Sequence, residues 1–104
     1  MDMKQYGKSV EDLIITTGKD RMIENTLGLV GESGEVAEKI KKCIRDNHEP
    51  NKMEIIKELG DVLFYVTALA NHIGSGLETV AIHNIVKLQD RKSRNKIQGS
   101  GDDR

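Results

Sequence analysis

An all-α fold, a four-helix bundle completed by homo-oligomerisation, follows from three observations. Apolar residues recur at helical spacing in four successive segments, and no stretch shows the alternation of a strand. The third segment is apolar on nearly every side, which requires cover all round. The chain has only 104 residues to supply that cover, and so small a domain gains burial by associating. At 37% hydrophobic and 32% charged, the composition is that of one folded domain rather than a disordered chain. The domain is expected over residues 1–98, with residues 99–104 as a tail.

The first helix is expected over residues 2–17. Val10, Leu13 and Ile14 recur at helical spacing, with Tyr6 a turn earlier. Gly18 then reads as its C-terminal stop. Lys19-Asp20-Arg21 reads as a polar connection, with Asp20 placed to cap the next helix. The second helix is expected from Arg21 to Arg45. On a wheel at about 100° per residue, its apolar residues, from Ile23 and Leu27 to Cys43 and Ile44, cover roughly 200°. A surface helix needs less, so packing on two sides is expected.

Asp46-Asn47-His48-Glu49-Pro50-Asn51 is the one strong loop and holds the only proline. The third helix is expected from Met53 to Asn71. It begins amphipathic, with Ile55, Ile56 and Leu59 on one side. From Val62 to Ala70 it is apolar almost all round, the pattern of a helix buried on all sides. A subunit interface is the expected cover, in a dimer or a tetramer. Gly74-Ser75-Gly76 breaks the pattern. The fourth helix begins at Leu77, carries Val80, Ala81, Ile85 and Leu88 as its apolar stripe, and frays by Lys96. The tail, Gly99 to Arg104, is flexible by composition.

Composition excludes several function classes. A net charge of −1 argues against a nucleic-acid binder that relies on a positive field. No apolar run is long enough to span a membrane, and no signal peptide is visible, so the default compartment is the cytoplasm. The single cysteine, Cys43, forms no disulfide within the chain and no Cys-based zinc site. A di-iron bundle needs Glu-x-x-His pairs, but His48, His72 and His83 follow Arg45, Leu69 and Val80 at that spacing. There is no Gly-x-x-x-x-Gly-Lys loop.

One stretch stands apart. Gly28, Gly31 and Gly34 fall within seven residues of a helical pattern, although each glycine costs about 1 kcal/mol relative to alanine there. Close approach of a backbone or a ligand would account for them. Glu32 and Glu35 lie among these glycines, and Glu58 and Asp61 repeat the spacing beside Gly60. Residues three apart share a helix face. Lys39 and Lys42 fall in the same sector as the two glutamates. Four carboxylates facing each other across two helices would repel strongly unless a cation neutralised them. Oxygen-only ligands suit Mg²⁺, with Mn²⁺ an equal fit. A solvated acidic face is the competing account, since acidic residues three apart are common in so charged a chain. A second signal follows on the fourth helix. Asn84, Lys87 and Arg91 share one side, and Lys92, Arg94, Lys96 and Arg104 come after. A solvated helix end and a phosphate clamp both explain this run.

The motifs Gly28-Leu29-x-Gly31-Glu32-x-Gly34-Glu35 and Glu58-Leu59-Gly60-Asp61-Val62-Leu63-Phe64 resemble those of the MazG-like nucleoside triphosphate pyrophosphohydrolases. That all-α group includes dimeric dUTPases, dCTP pyrophosphatases and phosphoribosyl-ATP pyrophosphohydrolases. Asn84-Ile85-x-Lys87-Leu88-x-x-Arg91 extends the resemblance, as does the ending Gly99-Ser100-Gly101-Asp102-x-Arg104. The resemblance implies that Glu32, Glu35, Glu58 and Asp61 hold Mg²⁺. It implies that Asn84, Lys87, Arg91 and Arg104 help bind the phosphates of a nucleoside triphosphate. Water would attack the α-phosphorus and release pyrophosphate. Gly31 stands where longer members carry a first acid, so Glu35 and Glu38 are the candidate bases. Asp103 stands where many relatives have Asn. Two rivals are a non-enzymatic helical dimerisation module and a sister enzyme acting on dUTP, dCTP or phosphoribosyl-ATP.

Overall fold

Asp2 starts the first helix, α1 (Met3–Leu13). Its carboxylate accepts from the Gln5 amide and the Gln5 side chain accepts from the Asp2 amide, both at 2.8 Å. This reciprocal cap satisfies two amides that helical bonding leaves free. In a computed structural model that describes residues 1–104, three further helices follow: α2 (Gly18–Asp46), α3 (Lys52–His72) and α4 (Leu77–Ser93). There is no strand. No helix is long and apolar enough to cross a membrane.

The junction of α1 and α2 departs from expectation. α1 stops at Leu13 instead of residue 17, because Ile14 turns extended. Gly18 does not end α1; it opens α2, with φ +59°. Lys19-Asp20-Arg21 is therefore helical rather than a connection. Thr17 occupies the cap position, and Asp20 lies inside the first turn, where its negative charge suits the helix dipole. Arg21 accounts for the early start. Its guanidinium donates to both carboxylate oxygens of Glu11, at 2.6 and 2.7 Å, and to the Ala68 carbonyl at 3.3 Å. One side chain thus ties the start of α2 to α1 and α3.

The loop between α2 and α3 falls where the proline placed it. Asn47 adopts the left-handed conformation (φ 55°) that commonly ends helices. The His48 amide then donates to the Cys43 carbonyl at 3.0 Å. Asn51 caps α3 by accepting from the Glu54 amide at 3.1 Å. So short a loop returns the chain antiparallel. Arg21 meets Ala68, Gly28 meets Tyr65, and Lys39 meets Glu58 along the paired helices.

A single chain does not close a bundle. α1 packs on α3 through Val10, which is 2% exposed, and the Asn71 amide donates to the Gly7 carbonyl. α4 touches α1 and α3 but not α2. The radius of gyration is 16.3 Å, against about 13 Å for a compact chain of this length. Only eight residues are buried. The broad apolar arc of α2 leaves Ile23, Leu27 and Val30 exposed. In α3 only Thr67, Ala68 and Ala70 are fully covered, not the whole run from Val62. The α4 stripe stays open at Val80, Ala81 and Ile85. Periodicity correctly marked these faces as apolar; one chain lacks the material to cover them.

Candidate functional site

The α2–α3 pair carries the acidic cluster. Carboxylate oxygens of Glu32, Glu58 and Asp61 lie within 4.8 Å of one another. Glu32 and Glu58 are half-buried and Asp61 is exposed. Two contacts between the helices flank the cluster. One turn before Glu32, Gly28 lets the Tyr65 ring against the α2 backbone; a methyl group there would fall within 2.7 Å of the ring. Tyr65 lies one turn beyond Asp61. On the other side the Lys39 ammonium stands 3.8 Å from the Glu58 carboxylate. Gly28 therefore serves helix contact. Gly31, Gly34 and Gly60 face open space, so no intrachain packing accounts for them.

The electrostatics show the crowding. Partial desolvation, then the charges of Asp61, Glu58 and Glu35, push the Glu32 carboxyl above its ordinary value. Burial, then the charge of Asp61, push the Tyr6 phenol up. Sequence reading took Tyr6 only as an apolar position; nothing local marks a residue that a helix crossing brings in.

Glu35 lies a turn beyond Glu32 and is exposed. It stands outside the 4.8 Å group, so three of the four expected carboxylates come together. Glu35 and Glu38 line a cleft of about 230 Å³ with Lys39, Lys42 and His48. Glu38 is tied to Lys41 at 3.1 Å. That ammonium, the main cause, holds its carboxyl below the ordinary range. A carboxylate stabilised in this way is the weaker proton acceptor, whereas Glu35 forms no ion pair. A larger cleft of about 790 Å³ lies between α1 and the α3–α4 turn. It contains none of the clustered carboxylates.

The basic residues of α4 occupy a different place. Asn84 and Lys87 line an open cleft with Ser75, Thr79 and His83. Arg91 is 4% exposed. Its guanidinium donates to the carbonyls of Gly101 and Asp102 and lies 3.7 Å from the Asp102 carboxylate. Lys87 reaches the same carboxylate at 3.4 Å. Arg104 folds back onto the carbonyls of Lys96, Ile97 and Gly101 at 2.6–3.0 Å. The tail segment thus turns back against the end of α4. Asp102 was missed as a partner because its signal, one acid in a disorder-like stretch, looks solvated. α4 packs on α3 but not on α2, and its cations Lys87 and Arg91 pair with Asp102 rather than with the clustered carboxylates.

The unpaired groups are few. The Asn25 amide nitrogen is buried without a partner one turn before Gly28, and Asn25 is 2% exposed.

Residues 21–95 match the family model described as the MazG nucleotide pyrophosphohydrolase domain. The chain is 51% identical over 83 residues to the Gene 37 protein of Mycobacterium phage L5, covering 76% of this chain and 73% of that protein. No solved structure matches.

Proposed function

We propose, since this chain belongs to the MazG nucleotide pyrophosphohydrolase family, that it hydrolyses a nucleoside or deoxynucleoside triphosphate to the monophosphate and pyrophosphate with a divalent cation. The observation that carries this reading is the meeting of Glu32, Glu58 and Asp61 across two helices. Three carboxylates so close disfavour their own charged forms, and the Glu32 carboxyl is raised first by desolvation and then by the charges of Asp61, Glu58 and Glu35. The donor set is all oxygen, which suits Mg²⁺ or Mn²⁺. Glu32, Glu58 and Asp61 would hold the ion, with Glu35 one turn away at the rim. A bound divalent ion supplies neutralisation of the triphosphate and a water acidified towards neutral pH.

The remaining roles fall to the chain's own side chains. Glu35, exposed and without an ion pair, accepts the proton of the attacking water; Glu38 is the second candidate, weakened by Lys41. The water oxygen bonds to the α-phosphorus as the bond to the β-phosphate oxygen breaks. Pyrophosphate leaves with that electron pair. The open space over Gly31, Gly34 and Gly60 leaves room for substrate beside the acids. Asn84, Lys87, Arg91 and Arg104 are the candidate phosphate ligands. Within one chain α4 does not pack on α2, and α4 of a second copy would bring these groups to the α2 side of the site. The uncovered apolar faces of α2 and α4 supply a reason for copies to associate.

The test is a panel of ribo- and deoxyribonucleoside triphosphates, each with and without Mg²⁺, assayed separately for pyrophosphate and orthophosphate. Mg²⁺-dependent pyrophosphate release is expected, and Asp61→Ala should abolish it while keeping helicity. Orthophosphate alone would overturn the bond assignment. Full activity in Asp61→Ala would overturn the ligand assignment. With no turnover and no thermal shift by metal and nucleotide, the uncovered apolar faces would favour a helical interaction module instead.

A further inference from the structure

Lys39 is the only basic side chain within 4 Å of any of the three clustered carboxylates. Its place is set by α2 itself. Glu32, Glu35 and Lys39 are spaced three and then four residues apart, so they share one helix face. Its side chain is 35% exposed, against 65% for Lys41 and 54% for Lys42, which pair with Glu38 away from the cluster. The ammonium stands 3.8 Å from Glu58 and makes no hydrogen bond. This is charge contact without a locked geometry. It partly neutralises the cluster, and no other ion pair holds it there.

Resting on the reading that these carboxylates bind a divalent ion, we propose that Lys39 is the resident counter-cation of the cluster, a positioning residue that holds Glu58 in place and gives way to the metal. Two positive groups cannot share Glu58 without repulsion, so an entering ion competes with the ammonium. Lys39 thereby sets the metal affinity without being a ligand. It also keeps the metal-free acids from driving α2 and α3 apart, so one side chain stabilises the empty site and weakens the filled one.

The test compares wild-type protein with Lys39→Met and Lys39→Arg in Mn²⁺ titrations without nucleotide, following free Mn²⁺ by electron paramagnetic resonance. Thermal unfolding with and without Mn²⁺ is recorded in parallel. Methionine keeps the aliphatic stem and removes the charge. Lys39→Met should bind Mn²⁺ roughly 3- to 10-fold more tightly, a range set by screened repulsion between a divalent and a monovalent cation a few ångströms apart. Its metal-free melting temperature should fall, and added Mn²⁺ should restore it. Lys39→Arg should stay near wild type in both measurements. Equal Mn²⁺ affinity in all three proteins would overturn the role of Lys39 and leave the metal site standing. No Mn²⁺ binding by wild type or either variant would overturn the metal site and this inference with it.

Discussion

Gly28→Ala and Gly31→Ala should move stability in opposite directions. At Gly28 an added methyl group falls within 2.7 Å of three atoms of the Tyr65 ring. The ring is half-buried between the helices, and Phe64 stands edge-on to it at 5.3 Å, so it has little room to withdraw. Overpacking of this kind costs about 1–3 kcal/mol. The better helix propensity of alanine returns about 1 kcal/mol, leaving a net loss of about 1 kcal/mol. At Gly31 nothing lies within 4 Å, so the propensity gain of about 1 kcal/mol stands alone. For a domain of this size each kcal/mol shifts the melting temperature by roughly 4–8 °C. The two variants should therefore differ by about 8–16 °C. Thermal unfolding followed by helical circular dichroism, at one fixed protein concentration, measures this. In a Tyr65→Ala background the clash disappears, and Gly28→Ala should become stabilising. A Gly28→Ala protein as stable as wild type, or a Gly31→Ala protein as damaged as Gly28→Ala, would refute the reasoning. A Gly31→Ala protein that gains stability but loses turnover would place substrate in the open space above α2.

Two further perturbations test separate parts of the structure. Because the Glu32 carboxyl is raised, the folded protein binds that proton more tightly than the unfolded chain does. The resulting advantage is full below the ordinary glutamate value and is lost as pH rises through the raised one. Glu32→Gln removes this titration, so it should melt higher than wild type at neutral pH without metal, with the difference vanishing below the ordinary glutamate value; a pH-independent difference would refute the raised Glu32 carboxyl. Arg91→Ala removes the bonds that hold residues 101 and 102 against α4. Losing a charged hydrogen bond of about 1.5 kcal/mol should raise trypsin cleavage after Lys96 about tenfold, and an unchanged rate would show that the turns hold without Arg91.

The sequence by itself determined the helices, because caps and apolar period act over a few residues. Leu77 starts α4, and the loop around Pro50 separates α2 from α3, as the local chemistry required. It also determined that Glu32 and Glu35 share a face, as do Glu58 and Asp61. Local signals failed at the start of α2. Gly18 is as able to open a helix as to end one, and the choice fell to Arg21, whose partners Glu11 and Ala68 lie on two other helices. Which acids meet across the helices was likewise a tertiary decision. The Gly28–Tyr65 contact sets how closely α2 lies on α3, and that placement brings Glu32 to Glu58 and Asp61 while leaving Glu35 a turn outside. The same holds for the α4 cations. Their spacing is written in the helix, but the partner they hold, Asp102, is set by how the chain folds back. Spacing along a helix fixes a direction, whereas contact between helices depends on side-chain volumes at the crossing.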